Sequence, residues 1–186
     1  DTLRSRGLGD VYKRQDLQLN FTPAAPQPLQ RLLPPLDFPV MIFLPILVQP
    51  LSIGSVHWDG EKPILNPNYL SNDKDVEVFK KAIKLCNQMA SAPGLDQLAS
   101  DALLPPPDNN EEYIRGNATT IWHPVGTCRI GEDPTDSVVN SKLEVHGTHN
   151  LHVVDSSVTP YVTCGNNHVL ALIMGEMASE IFLNII

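Results

Sequence analysis

Two groups of residues, well separated in the chain, could together do chemistry on a hydroxyl group. The first is His123, in the run His-Pro-Val-Gly-Thr, and the second is the pair Asn166 and Asn167. A histidine, whose ordinary pKa is about 6.5, can take a proton at neutral pH. An asparagine amide brought beside it would supply a neutral hydrogen-bonding group. The pairing therefore indicates removal of a proton from a bound hydroxyl.

The element that precedes His123 must present it to a ligand. A short strand over 118–122 is predicted to do so, after which Pro124 restricts the backbone and Gly126 permits a tight turn. A His-Pro pair at the end of a strand is more often structural than catalytic. This segment by itself leaves both roles open.

Asn166 and Asn167 stand just before an apolar segment. Residues 168–183 are predicted to form a buried helix, because the first half of the segment is apolar on nearly every side. The simplest role of the two asparagines is to cap that helix through their side chains. A helix N-terminus also carries roughly half a positive charge and can stabilise an anion that forms during a reaction. The same position therefore suits a ligand site.

Asp155 and Ser156 are further candidates, since they directly follow the apolar run 151–154. If that run is a strand, the pair lies at its carboxyl end, where open α/β sheets bind their ligands. A simple turn is the alternative.

Metal binding is not indicated by the other histidines or by the cysteines. Three histidines recur every three residues, but Gly147 and Asn150 lie among them and break any helix that would put them on one face. These histidines are His146, His149 and His152. The three cysteines are far apart, without the spacing of a zinc site or a disulfide framework, and are expected to be buried free thiols. They are Cys86, Cys128 and Cys164.

The first two thirds of the chain predict an antiparallel sheet and an amphipathic helix. Strand signals cover 16–22, 40–48, 52–58 and 63–68, with Asp59-Gly60 as a turn between the last two. Apolar residues then recur at three- and four-residue spacing after a cap at 71–73. They are Val76, Phe79, Ala82, Ile83, Cys86, Met89 and Ala90. Proline-rich connectors are expected at 23–35 and 105–107, and a short helix at 108–115.

The sequence pattern changes beyond residue 130 to short β-rich runs, and we predict a domain boundary there. Short β-rich runs at 137–140, 143–145 and 151–155 are separated by glycine and asparagine turns. Residues 1–15 read like translated cloning sequence and are set aside from the fold; a disordered basic arm is the alternative.

Composition excludes two classes of partner. The formal net charge is −8, and Lys and Arg are scattered, so the surface that a nucleic acid requires is missing. The most apolar run, 36–51, is interrupted well short of the roughly 20 residues of a membrane span. Triplets beginning at Asn20 and Asn117 match the N-glycosylation pattern of secreted proteins, but such triplets also arise by chance, and the compartment stays open.

Read in order, these segments resemble the C-terminal part of the glucose-methanol-choline (GMC) oxidoreductases, which are FAD-dependent. The matching stretches are long and correctly spaced: 120–131, 138–140, 143–147, 150–160 and 165–168, continuing to 175–178. The resemblance implies an α/β fragment. Residues 16–130 would be the end of an antiparallel-sheet substrate domain, and 131–186 the closing strands and helix of a Rossmann-like FAD-binding domain.

The resemblance also implies roles for particular residues. His123 would take the proton of a substrate hydroxyl, a hydride would pass from the same carbon to flavin N5, and Asn166 would orient the oxygen. Asn166, Asn167 and His168 would approach the flavin, with Asp155 and Ser156 near the ribityl and phosphate groups. A register error of one or two residues would give the second catalytic role to His168.

Several features of the enzyme stay open at this point. The substrate would be an alcohol or a sugar, and the electron acceptor oxygen or a quinone. Cyanohydrin lyase chemistry, which occurs on the same scaffold with FAD, is an alternative. The resemblance covers only the final third or so of a family member, and the G-x-G-x-x-G turn that grips the FAD pyrophosphate is absent. The chain is therefore expected to need its N-terminal half, and without it to bind no cofactor.

Overall fold

The computed structural model describes residues 16–23, 39–98, 102 and 110–183 of the 186. In these residues the fold is mixed α and β, as predicted, with two small antiparallel sheets, three α-helices and one 3-10 turn. Three predicted segments lie outside the described residues. They are 1–15, the connector at 105–107 and, except for its first residue, the connector at 23–35.

Strands β1 (Leu17–Thr22) and β2 (Ile42–Leu47) form the first sheet. They pair antiparallel, with Leu17 opposite Leu47 and Thr22 opposite Ile42. The rings of Phe21 and Phe43 pack on one face of the pair, with their centroids 5.2 Å apart. Both predicted strands are thus present, and β2 is shorter than predicted.

Strands β3 (Ser55–Trp58) and β4 (Pro63–Asn66) form a separate hairpin. Its turn is built by Asp59, whose Oδ1 accepts from the backbone N–H groups of Glu61 and Lys62 at 2.8 Å each. These hydrogen bonds, that from Lys62 foremost, hold the pKa of Asp59 below its usual range. Gly60 follows with φ +105°, a conformation that favours glycine.

The antiparallel pairing expected from the sequence is therefore present, but the strands divide into two sheets. The carboxylate of Asp75, which is only 2% exposed, explains the division. It accepts from Leu51 N–H at 3.0 and 3.1 Å, and from Ser52 N–H and Oγ–H at 2.8 and 2.6 Å. Backbone donors that could have continued the ladder are thus bound to a helix side chain.

Helix α1 (Asp73–Ala90) matches the predicted amphipathic helix. The predicted cap is formed by Asn72, whose side chain accepts from Lys74 N–H at 3.0 Å. Val76 and Ile83 are buried against Ile114 of helix α2 (Asn110–Asn117), together with Leu70. Met89 was expected on the buried face, but it is exposed, because it lies in the last turn beyond the contact with α2.

Residues 128–158, all of which the structure describes, form no regular strand, although three were predicted there. These residues make isolated bridges only: Ile130 with Val139, Val139 with Val145, and Glu144 with His152. Local turns interrupt pairing. Asn140 Oδ1 accepts from the backbone N–H groups of Lys142 and Glu144 at 2.9 and 3.1 Å, which bends the chain between two of the predicted runs.

Helix α3 (Asn167–Phe182) closes the described chain. Met174 and Ala178 pack into a second core with Val139, Leu143 and Val158. The rest of the helix is largely exposed, so the predicted burial is wrong within the described residues, because only one face has a partner there. The exposed apolar residues include Val169, Leu172, Ile173, Met177 and Phe182. None of the described helices is long and apolar enough to cross a membrane.

Candidate functional site

His123 follows a turn and not the predicted strand. The backbone N–H of Trp122 donates to Thr120 Oγ1 at 2.8 Å, and Trp122 itself adopts φ +60°. A backbone bent in this way cannot continue as a strand, which is why the prediction for 118–122 is wrong. His123 is half-buried at the start of the segment that leads to Gly126.

The His123 segment lies against residues 155–160. Gly126 has φ +84°, and a Cβ there would lie 3.5 Å from the carbonyl oxygen of Thr159. Beyond it, Cys128 N–H donates to Ser157 O at 3.0 Å. The predicted role of Gly126, a tight turn with close approach, therefore fits the structure, although its neighbour is backbone.

Asp155 and Ser156 belong to a turn. Asp155 caps the 3-10 turn Ser156–Val158 by accepting from Ser157 N–H at 2.7 Å. The preceding run, 151–154, makes only a single bridge at His152. The predicted strand end is thus replaced by the alternative, a turn, and the exposed Asp155 and half-buried Ser156 remain beside the His123 segment.

The start of α3 reaches the His123 segment through Asn167. Its Nδ2 donates to the carbonyl oxygen of Pro124 at 3.3 Å. Asn166 is the N-cap residue by backbone conformation, but its side chain makes no capping hydrogen bond, so the expected side-chain cap is absent. Asn166 and His168 are both exposed. Asn167 is therefore the residue of the three whose side chain contacts the segment that carries His123.

Two buried side-chain atoms in the described part of the chain lack a hydrogen-bond partner, and both belong to this site. They are Nδ1 of His123 and Oδ1 of Asn167. Buried polar groups are nearly always hydrogen-bonded, so unsatisfied atoms on two segments that are in contact mark a region where a further interaction can be made. The sequence had singled out His123, but it did not distinguish Asn167 from its neighbours Asn166 and His168.

A second long-range contact reaches the same loop from the β1–β2 sheet. Gln49 Nε2 donates to Cys164 Sγ at 3.1 Å, two residues before Asn166. Sequence analysis missed Gln49, because no motif surrounds it. It also expected Cys164 to be buried, but this residue is exposed. Cys86 is buried as expected, and burial raises the pKa of its thiol.

The three regularly spaced histidines have separate environments. His146 Nε2 lies 2.9 Å from Ser137 Oγ and 3.0 Å from Gly131 O, so that ring is used within its own loop. The His152 ring packs edge-on against Phe182, with centroids 4.8 Å apart, and His149 is exposed. Among the residues that the structure describes, no cluster of three potential metal ligands occurs.

Comparison with known proteins identifies the family of this chain. Residues 50–175 match the family model described as GMC oxidoreductase. The alcohol dehydrogenase [acceptor] of Pseudomonas putida is 37% identical over 128 residues, covering 66% of this chain and 23% of the relative. The oxygen-dependent choline dehydrogenase of Cronobacter sakazakii is 32% identical over 138 residues, covering 69% of this chain and 24% of the relative.

Solved structures agree with the sequence match. Pyridoxine 4-oxidase from Mesorbium loti is similar with a TM-score of 0.69 and 30% identity, over 77% of this chain and 30% of that one. A variant of formate oxidase from Aspergillus oryzae reaches a TM-score of 0.78 at 25% identity, over 89% and 31%. The chain thus spans about a quarter to a third of the length of these relatives.

Proposed function

Because the chain belongs to the GMC oxidoreductase family, we propose that it forms the C-terminal part of an FAD-dependent enzyme that oxidises an alcohol. The observation that carries the proposal is the hydrogen bond from Asn167 to Pro124, which joins the start of α3 to the segment of His123. A base and a helix N-terminus are thereby held at one place, although 43 residues separate them in the chain.

The residues at the start of α3 fit an electron-accepting cofactor. A helix N-terminus favours negative charge, and the side chain of Asn166 leaves the N–H groups of the first turn available as donors. Asn166, Asn167 and His168 would hold the flavin ring there, with Asp155 and Ser156 toward the ribityl and phosphate groups. When bound, FAD supplies the chemistry of accepting a hydride.

His123 acts as the general base in the proposed reaction. The imidazole takes the proton from the substrate hydroxyl, and the carbon that bears the oxygen loses a hydride, so the alcohol becomes an aldehyde or a ketone. A neutral amide at Asn166 would orient the substrate oxygen by hydrogen bonding. The helix N-terminus stabilises the negative charge that develops on the acceptor side.

The names of the relatives support a proposal for the substrate class. The relatives and structures named above are, by their names, a dehydrogenase of alcohols, a dehydrogenase of choline and oxidases of pyridoxine and formate. We propose a small-molecule alcohol, with oxygen or a quinone as the final acceptor. The rest of the pocket would come from parts of a longer protein, since this chain spans so little of its relatives.

The proposal is tested with the chain joined to its N-terminal portion and loaded with FAD. Anaerobic addition of a panel of primary alcohols is expected to bleach the flavin absorbance with at least one of them. His123→Ala should lower the bleaching rate by about 10² or more while FAD stays bound. His149→Ala, an exposed histidine outside the site, is the matched control and should leave the rate unchanged.

An enzyme that consumed a cyanohydrin and left the flavin yellow would be a lyase, and the redox assignment would be wrong. An unchanged bleaching rate in His123→Ala would remove His123 from the mechanism.

A further inference from the structure

The two unsatisfied buried atoms of the site are complementary. His123 Nδ1 can carry a hydrogen and donate it, whereas Asn167 Oδ1 can only accept. They belong to two segments that are already in contact through the neighbouring atoms, because the amide nitrogen of the same Asn167 side chain donates to the residue after His123. A donor and an acceptor left open on two segments that this hydrogen bond joins are consistent with one missing connection between them.

The orientation of the Asn167 amide is determined by its partner. The carbonyl oxygen of Pro124 can only accept, so the NH2 group of the amide must face it, and the oxygen is directed elsewhere. That oxygen is buried and cannot be satisfied by bulk solvent. The amide therefore has a defined orientation, with its buried acceptor directed away from Pro124 O.

The second ring nitrogen of His123, Nε2, differs from Nδ1 in its surroundings. Nε2 is not among the buried unpartnered atoms. Neutral imidazole carries one hydrogen, and the nitrogen that has a fixed acceptor keeps it, so the partner of one nitrogen decides which nitrogen is the base. His146 gives the contrast within this chain, since its Nε2 is occupied by Ser137 and Gly131.

We propose that Asn167 is a positioning residue that sets the tautomer of His123. Its Oδ1 accepts from Nδ1–H through one bridging water, and Nε2 is left unprotonated toward the substrate. This inference rests on the proposed function for its consequence in catalysis, but the hydrogen-bonded link exists or fails independently of that function. Asn167 acts through His123 and takes no part in the transfer itself.

The test is the tautomer of His123, read by 15N NMR on the FAD-loaded enzyme labelled at histidine, at alkaline pH. The His123 signals are assigned by their loss in His123→Gln. Wild type should show the Nδ1–H tautomer. Asn167→Leu removes the acceptor at similar size and should give a mixture of both tautomers, whereas Asn167→Asp keeps the acceptor and should retain Nδ1–H.

Turnover provides the second readout. Asn167→Leu should lower kcat by about ten- to a hundredfold with little change in KM, and Asn167→Asp should recover part of the loss. If Asn167→Leu does not fold, Asn167→Ala is read in the same way. An unchanged Nδ1–H tautomer in Asn167→Leu, or in Asn167→Ala where the leucine variant does not fold, overturns the proposal.

The two proposals fail separately. If the tautomer depends on Asn167 but His123→Ala bleaches the flavin normally, the positioning link stands and the role of His123 as the base is wrong. If His123→Ala is slow but the tautomer ignores Asn167, the base stands and the positioning role is overturned.

Discussion

The two neighbours of Asn167 are the candidates for the second catalytic position. Asn166 and His168 flank Asn167 at the start of α3, and both are exposed, so either can meet a ligand that lies against the helix N-terminus. The family resemblance assigns the second catalytic position to Asn166, or to His168 if the register differs. The two assignments predict different effects when Asn166 or His168 is replaced.

Substitution at the two residues separates them. If Asn166 orients the substrate oxygen, Asn166→Ala lowers turnover by about tenfold or more, and His168→Ala has a small effect, because only one of the two meets the oxygen. The measurement is flavin reduction by alcohol under anaerobic conditions, with FAD content as the control for binding. The opposite ranking would transfer the role to His168.

At the scale of elements, the carboxylate of Asp75 joins helix α1 to the chain that leaves β2. It is buried, and it receives hydrogen bonds from two backbone amides and one hydroxyl. The hydroxyl of Ser52 in turn accepts from Asn72 N–H at 3.1 Å, at the helix cap. This network holds the segment that carries Gln49, which contacts Cys164 near the site.

Removal of this carboxylate should be costly. Asp75→Ala leaves buried backbone donors unsatisfied and is expected to lower the free energy of unfolding by about 2–4 kcal/mol. Asp73→Ala is the matched control in the same helical turn. Its side chain is 90% exposed and pairs with Arg115 at the surface, so its loss should cost under about 1 kcal/mol. Denaturant unfolding of the FAD-loaded enzyme measures both, and equal losses would contradict the prediction.

Helices α1 and α2 are also linked by charge. Lys80 Nζ lies 2.6 Å from Glu111 Oε2, and Arg115 Nε lies 3.1 Å from Glu111 Oε1. The hydrogen bonds from Lys80, and then from Arg115, lower the pKa of Glu111 below its ordinary 4.5. A carboxyl whose folded pKa is depressed stabilises the fold above its unfolded pKa, and that contribution is lost as the pH falls through the folded value.

Glu111→Gln should therefore lower the Tm slightly at neutral pH, and the difference from wild type should shrink as the pH falls below the ordinary pKa of 4.5 and disappear below the depressed folded pKa. Glu180→Gln, at an exposed position of α3, corrects for the change of one charge. Thermal unfolding of both variants and wild type, measured from neutral to acid pH, tests this prediction. A difference that persisted unchanged in acid would show that the Glu111 ion pairs are not its source.

At the scale of the whole molecule, the described residues hold two separate cores. One surrounds Val76 and Ile114, and the other surrounds Val139 and Met174. Much of α3 faces solvent with apolar side chains, although its sequence is that of a buried helix. Such surface is normally covered, and the chain spans only 23% and 24% of two dehydrogenase relatives.

Residues 16–186 alone are therefore expected to retain no stoichiometric FAD, because one helix N-terminus cannot by itself enclose a dinucleotide. The flavin content of the purified chain, measured by absorbance after gel filtration, checks this expectation. The chain joined to its N-terminal portion is the control and should remain yellow. A tight yellow complex from residues 16–186 alone would contradict the expectation.

Local features of this protein were determined by the sequence itself. The cap at Asn72, the apolar spacing of α1, the turn at Asp59-Gly60 and the start of α3 each depend on residues within one or two turns of the chain. Side-chain caps and periodicity act at that range, so pattern alone predicts them. The ordered motifs from His123 to Asn166 likewise indicated the family.

Only the tertiary structure decided which residues meet. The bond from Leu51 to Asp75 spans 24 positions, that from Asn167 to Pro124 spans 43, and that from Gln49 to Cys164 spans 115. A hydrogen bond needs its two atoms within a few tenths of an ångström of the right distance, and composition does not encode a position to that precision. The same limit explains why Asn167, not Asn166, contacts the His123 segment.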